Sequence, residues 1–332
     1  MKKVIFTLLL ASSLLVNAQE EKPTLSISGS VDAYYQTYLS APDNAGVSFG
    51  TAFAGQSGFA LGMANIIASY EGEKAGVVVD LVTGPRGAGA TFNTDIVDGI
   101  VNQAYVYWNV SDKTTLTFGR WNTFLGYEVI APAANFNYST SYLFSSGPFS
   151  HMGLKADFSL SDDVSLMLAI TNPWDTNDVS MTGEYGFGAQ LGVSGQYLNL
   201  YYDSGNNDGL GFEIDYTGGF DLSDSFFLGI NAAYNDNDGS GFYGAALYPQ
   251  LATSDVFSIG LRSEIFALHG DANPDEESVF ALTLTGSYTV DNLIIKPEFR
   301  LDSWSDTMPY INSDGMPSDN LSAFTIAAIY SF

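Results

Sequence analysis

Charged residues stand two apart inside otherwise apolar stretches: Lys155 and Asp157, Glu213 and Asp215, Arg262 and Glu264, and the triplet Lys296, Glu298 and Arg300. That spacing puts such groups on one face of an extended chain and their neighbours on the other. Charges sharing a face can brace one another as ion pairs or line a wetted passage. Catalysis has thinner support. The chain holds two histidines and no cysteine. His151 precedes an aligned strand and His269 falls in an acidic outer loop. Neither has a serine and an acid at a recognisable motif spacing, although triad partners need not be close in sequence. No catalytic residue is expected. Without cysteine there is no disulfide, thiolate metal site or cysteine nucleophile.

Two glycine-rich segments invite a ligand and then decline it. "DNDGSG" (236–241) opens like a calcium loop, but the twelfth position from Asp236 is Leu247 rather than Glu, so a solvated hairpin tip is expected. "GPRGAG" (84–89) lacks the Lys-Ser/Thr pair of a phosphate loop and reads as a flexible turn. No metal and no cofactor are expected. Acidic residues outnumber basic ones 37 to 11, which argues against nucleic acid as a partner.

The elements that carry these charges are strands. In "GLKADFSL", Leu154, Ala156, Phe158 and Leu160 oppose Lys155, Asp157 and Ser159. In "LGFEIDYT", Leu210, Phe212, Ile214 and Tyr216 oppose Gly211, Glu213, Asp215 and Thr217, and "LIIKPEFRLD" (293–302) repeats the pattern. Helical spacing would scatter the charges around the axis. Breaks divide the chain into 16 strands, at about 24–40, 58–72, 75–83, 100–111, 113–128, 149–161, 163–171, 185–195, 197–203, 209–220, 225–235, 241–252, 255–268, 278–289, 292–302 and 321–332. Seven tight turns alternate with eight mostly longer polar loops, so both ends emerge on the tight-turn side. Segment 241–252, with Pro249, is weakly patterned, and 14 strands is the alternative.

Only 14% of residues are charged, against about 25% in a typical soluble domain. Much of the surface should therefore face something other than water. The opposite face carries too many charges for a dry core. Tyr70, Trp108, Tyr202, Tyr216, Tyr234, Tyr288 and Tyr330 collect near strand ends, as in an interfacial girdle. The fold class expected is all-β: a transmembrane antiparallel up-and-down β-barrel. Residues 1–18 read as a signal peptide: Lys2 and Lys3, an apolar run, then "VNA" before a cut after Ala18. Residues 19–332 form a single barrel domain. The last stretch, "AAIYSF", alternates as a closing strand facing lipid, and Phe332 resembles the end signature that the assembly machinery of Gram-negative outer membranes reads.

At "VNQAYVYWNVSDKTTLTFGRWNTFLGYEV" (101–129) the chain resembles the OmpL-like β-barrel porin family, also called β-barrel porin-2. The resemblance runs from "LGMANIIASYEG" through "GRWNTFLGYE" to "HMGLKADFSLSDDVSLMLAITNPWD", and later strands agree mainly in pattern. It implies an outer-membrane channel in a Gram-negative bacterium and supplies no catalytic residues.

Two features carry functional expectations. Loop 129–149 holds no charge and includes Phe136, Tyr138, Tyr142, Phe144 and Phe149. It is expected to fold inward and narrow the lumen; packing at the rim or at a subunit contact is the alternative. Lys155, Asp157, Glu213, Asp215, Arg262, Glu264, Lys296, Glu298 and Arg300 are expected to line the pore. Arg262, Lys296 and Arg300 would form a positive wall opposing acidic outer loops, leaving modest cation selectivity, unless they serve as salt-bridge scaffold. Arg120 has lipid-facing parity, and a bulge at Gly119 is expected to turn it inward. The function expected is passive diffusion of small hydrophilic solutes or ions. A structural or adhesive barrel with a plugged lumen is the alternative. The partners are outer-membrane lipid, the barrel-assembly machinery and the solutes themselves, with the oligomeric state left open.

Overall fold

The computed structural model describes residues 23–43, 46–92, 98–176, 183–204, 209–271, 273, 275–305 and 307–332. The expected signal peptide lies outside the described residues. The first eight strands are β1 (Thr24–Tyr38), β2 (Gly58–Glu71), β3 (Ala75–Thr83), β4 (Val101–Ser111), β5 (Thr114–Asn122), β6 (Ser150–Ser159), β7 (Val164–Thr171) and β8 (Gly186–Val193). The next seven are β9 (Gln196–Asp203), β10 (Gly211–Asp221), β11 (Phe226–Asp236), β12 (Ser240–Ala252), β13 (Phe257–Gly270), β14 (Ser278–Val290) and β15 (Leu293–Ser305). The last outer loop holds a two-rung hairpin, β16 (Tyr310–Ile311) with β17 (Pro317–Ser318), before β18 (Asn320–Ser331).

Sixteen strands close into one antiparallel barrel, each paired with its sequence neighbour in the sheet and β18 paired with β1. Closure removes the free edges that lipid could not satisfy. The terminal stretch does this work. Val31 faces Tyr330 and Ala33 faces Ala328, and Phe332 exchanges two 3.0 Å backbone hydrogen bonds with Gly29. On β18, Phe324, Ile326 and Tyr330 point to the exposed outside, while Thr325, Ala327 and Ile329 are buried within. The sixteen-strand count holds at segment 241–252. Pro249 of β12 still opposes Leu228 of β11, and the ladder to β13 skips from Leu247 to Gln250, where proline has no N–H to give.

The outer surface is a belt of exposed apolar side chains such as Ile27, Phe118, Leu154, Phe187 and Ile265. Tyr70, Trp108, Tyr288 and Tyr330 sit near the tight-turn ends of their strands, and Tyr202 and Tyr234 near the loop ends, so the aromatics form two rims. Tyr216 instead is half-buried, its hydroxyl bonded to Gln196 at 2.5 Å.

Three local expectations need correction. "GPRGAG" is not a flexible turn but a short helix, α1 (Gly84–Ala90), with Pro85 in its first turn and Arg86, Gly87 and Ala90 buried. A first-turn proline is preset for helix, and Gly87 lets that helix press on Val82. His269 lies within β13 rather than in a loop, its Nε2 at 2.8 Å from the Asn235 carbonyl, because the outer break near 235–241 shrinks to the turn 237–239. At Gly119 the strand carries no inserted residue in its pairing with β6. Gly119 holds a φ of 135°, and Arg120 is buried at 5% exposure instead of meeting lipid.

A bulge does occur between β1 and β2, where Val31 faces Ala64 but Ala33 faces Leu61. Asp32 therefore opposes Gly62 and Met63, and its Oδ1 accepts the Met63 N–H at 2.8 Å. A Cβ on Gly62 would fall on the Asp32 carboxylate. Gly62→Ala should cost about 1–3 kcal/mol by this overpacking, read as a lowered denaturant midpoint of the folded barrel. An unchanged midpoint would show that Asp32 moves freely.

Candidate channel constriction

Among the described residues, parts of three outer loops pack inside the barrel: 39–43 and 46–57 of L1, 84–92 and 98–100 of L2, and 123–149, which is L3. L3 is closed at its base by Thr123 N–H donating to the Phe149 carbonyl at 3.0 Å. Within it, Ser141 caps a short helix, α2 (Tyr142–Ser146), by accepting from Phe144 N–H at 3.0 Å. A buried loop outside helix and sheet must find partners for its backbone groups beyond its own ladder. The barrel wall supplies them with its charges.

Carboxylates take the N–H groups. Glu298 accepts from Tyr138 N at 2.7 Å and Ser139 N at 3.0 Å, and Glu264 from Tyr142 N at 3.1 Å and Leu143 N at 2.9 Å. Cations take the carbonyls. Arg262 donates to Ser139 O at 2.6 Å and Thr140 O at 3.2 Å, Arg300 to Thr140 O at 3.0 Å, and Lys296 to Pro132 O at 2.9 Å and also to Asn135 O. Two ion pairs join the set: Arg262 with Glu128 at 2.6 Å, and Arg300 with Asp302 at 2.8 Å. The Arg300 guanidinium also lies 4.3 Å from the Phe49 ring centre and 5.4 Å from that of Tyr142.

The four aromatics expected to narrow the passage take different seats. Tyr138 reaches across to Asp32 with its hydroxyl at 2.6 Å, and Tyr142 reaches Asp302 at 2.7 Å. Burial, with a neighbouring carboxylate, holds both phenols protonated well above the ordinary tyrosine range, so they act as fixed donors. Phe144 packs with Phe53 and Phe149, at ring separations of 5.8 and 5.0 Å. Phe136 lies over Gly260 of β13 and is partly exposed.

The wall expected to line open water is covered. Arg262, Glu264, Lys296, Glu298 and Arg300 face inward as parity requires, but each is at most 2% exposed beneath L3. Parity fixes the face of a strand and is silent about what packs on it. The positive wall is thus neutralised and dry. Glu213 and Asp215 are likewise buried; Asp215 accepts from Gly126 N–H at 3.0 Å, Asn199 at 2.6 Å and Asn231 at 2.6 Å. Lys155 and Asp157 differ. They pair at 2.7 Å and keep 23% and 41% of their side chains exposed, on the tight-turn half of the lumen.

Sequence reading placed Asp32 and Asp302 on the inward face without giving them a role, and left Phe49, Arg86 and Glu128 out of the site. Asp302 shares the parity of Arg300, and Glu128 sits one residue before the uncharged stretch, so those two left a trace. His151 is buried in β6, its Nε2 at 2.9 Å from Thr123 Oγ1 and its ring stacked on Phe124.

Beyond the strands, Asp175 clamps the end of L3. Its Oδ1 accepts from Phe149 N–H and Ser150 N–H, both at 2.8 Å. Burial pushes its carboxyl up to about 7, against those two donors and the Arg120 charge, which favour the anion. An unfolded Asp titrates near 3.9. The folded state therefore holds an extra proton between those values, and this contribution to stability is lost as pH rises through about 7. The denaturant midpoint of the wild type should fall from pH 4 to pH 8 relative to that of Asp175→Asn. Parallel profiles would contradict this.

A closed sixteen-strand antiparallel barrel, apolar outside and polar within, with loops packed in its lumen, defines a barrel of the outer-membrane porin class. The chain belongs to the family described as "Putative beta-barrel porin-2, OmpL-like", whose model matches residues 24–332. It is an outer-membrane porin, and its family and fold are those of a channel rather than an enzyme. No curated protein matches it in sequence. Among solved structures it is similar to the outer membrane channel DcaP of Acinetobacter baumannii, with a TM-score of 0.60 at 14% identity over 96% of this chain and 100% of that one. The anion-selective porin from Comamonas acidovorans gives 0.59 at 10% over 94% and 100%. In-vitro folded OmpT of Vibrio cholerae, in its trimer form, gives 0.55 at 9% over 94% and 100%. These likenesses concern the fold.

Proposed function

We propose that the protein passes small hydrophilic solutes or ions by passive diffusion, at a rate limited by L3. The observation that carries this reading is the hydrogen bonding of L3 to inward-facing charges of β13 and β15, which holds Tyr138 and Tyr142 inside the lumen. Phe136, Tyr138, Tyr142 and Phe144 form the constriction. Lys155 and Asp157 line the wetted approach from the tight-turn side, and the buried charges act as anchors for the loop. Liposome swelling tests it: vesicles holding the folded protein should swell in small sugars and progressively less as sugar size grows. No swelling in any sugar would sink it. The dry burial of the wall charges favours one second reading, a plugged structural barrel, which predicts that silence.

The chain would reach the membrane through a signal cut after Ala18 in a Gram-negative cell, with Phe332 read by the assembly machinery. Deleting Phe332 removes both closing bonds to Gly29 and should lower the yield of inserted barrel severalfold without changing single-channel conductance. Normal insertion would reduce that residue to packing. Because a structural neighbour, OmpT, has a trimer form, a trimer is the assembly proposed here, testable by the mass of the detergent-solubilised protein.

A further inference from the structure

Glu213 and Asp215 stand two apart on β10, 2% and 1% exposed, with residues from both ends of L3 over them. Other buried acids of the lumen have partners. Glu264 and Glu298 take L3 N–H groups, Glu128 and Asp302 hold arginines, and Asp32 takes Met63 N–H. Asp215 has three donors, in Gly126 N–H, Asn199 and Asn231. Glu213 is different. Among the described residues no hydrogen bond reaches either of its oxygens, and Oε2 is wholly buried. No ion pair among those residues includes Glu213 or Asp215. The charge acting on Glu213 is the Asp215 carboxylate, of like sign and not hydrogen-bonded to it. A carboxylate kept from water with neither donor nor cation is costly, and a bound cation would relieve that cost.

Glu213 faces a cavity of about 10 Å³, which is room for one water-sized sphere. Glu213, Asp215 and Asn231 wall it from the barrel, and Gly126, Phe144 and Gly147 from L3. Glu213 Oε1 is on the Gly147 side, 3.8 Å from where a Cβ on that glycine would stand. Asn231 donates its amide nitrogen to Asp215 Oδ2 at 2.6 Å and to the Tyr216 carbonyl at 3.3 Å, so its Oδ1 is the acceptor it has left to offer. Asp215 Oδ2 takes that one donor and keeps a second lone pair. Oxygen alone converges here, the donor type of hard cations. Calcium takes about six to eight oxygens and magnesium keeps several waters, and a space for one sphere admits neither shell. An alkali-metal cation without its water matches both the space and the single unanswered carboxylate.

We infer that the cavity between β10 and L3 is an alkali-cation site, with Glu213, Asp215 Oδ2 and Asn231 Oδ1 as its ligands and L3 held over the ion. The site stands whether or not the lumen conducts, and its test needs no current. The folded full-length barrel in detergent should be unfolded by urea at fixed ionic strength, in choline chloride progressively replaced by NaCl or by KCl. Choline is too large for the cavity. In at least one alkali series, each tenfold rise of the ion above its Kd should lower the unfolding constant by about tenfold. Glu213→Gln keeps the shape and removes the charge. It should flatten both series and, in choline alone, unfold at a higher urea concentration than the wild type. Gly147, at φ −90°, accepts a side chain, and its Cβ would meet nothing closer than 3.7 Å. Gly147→Ala thus puts a methyl in the cavity and leaves both carboxylates; it should flatten the series too, and it stands in if Glu213→Gln fails to fold. Flat alkali series in the wild type, a response that survives in folded Glu213→Gln or Gly147→Ala, or a response to added CaCl2 alone would each overturn the site. Equal midpoints of wild type and Glu213→Gln in every salt would mean that Glu213 carries a proton instead, which overturns it as well.

Discussion

Removing residues 133–147 should raise single-channel conductance severalfold while leaving β-content unchanged. The deletion takes out Tyr138 and Tyr142 with their bonds to Asp32 and Asp302, and the part of L3 that covers β13 and β15. It removes no barrel-strand residue. Sixteen strands without an inward loop enclose an aqueous channel. The uncovered Arg262, Glu264, Lys296 and Glu298 would then meet water, which hydrates charges that the loop backbone now serves. Larger sugars should pass in the swelling assay. A well-folded deletion with the parent conductance would mean that L3 limits nothing.

The second large effect is expected at Arg262. Replacing it with Met leaves Glu128 buried without its cation, strips the Ser139 carbonyl of its donor and leaves the Thr140 carbonyl with Arg300 alone. Breaking a buried pair from one side costs about 3–5 kcal/mol, so the denaturant midpoint should drop sharply and the current through surviving barrels should flicker as L3 loosens. The double change Arg262→Met with Glu128→Gln should recover much of the loss, because the stranded charge is gone. Additive losses would show that the pair is not the anchor. The same burial alters the expected effect of converting Arg262, Lys296 and Arg300 together to Gln. Read from sequence, that variant shifts the reversal potential; with all three under L3, its first effect is a freed loop.

Strand architecture was legible because a lipid-facing barrel repeats one simple rule, apolar outside and polar inside, on strand after strand. Phe324, Ile326 and Tyr330 against Thr325 and Ala327 express that rule at the closing strand. Even Pro249 left the count intact, since its neighbours kept the ladder. The uncharged aromatic run 129–149 marks a segment with nowhere stable in water, and it lies against the inward charges of β13 and β15. The cover over the wall charges was not legible. Whether Arg262 meets water or Ser139 depends on contacts across 123 residues of sequence, and period-two patterning carries no such information. Arg86 was missed for a related reason: a glycine-rich segment looks loose until a proline starts its helix and the lumen encloses it.

Whether the lumen conducts is decided by the single-channel current of the folded full-length protein in planar bilayers. A porin limited by L3 should give discrete, steady current steps of small size at modest voltage, well below those of the 133–147 deletion under the same salt. A barrel that inserts, as shown by its folded state in recovered membranes, yet carries no current at any voltage would contradict the channel reading and make the lumen a plug.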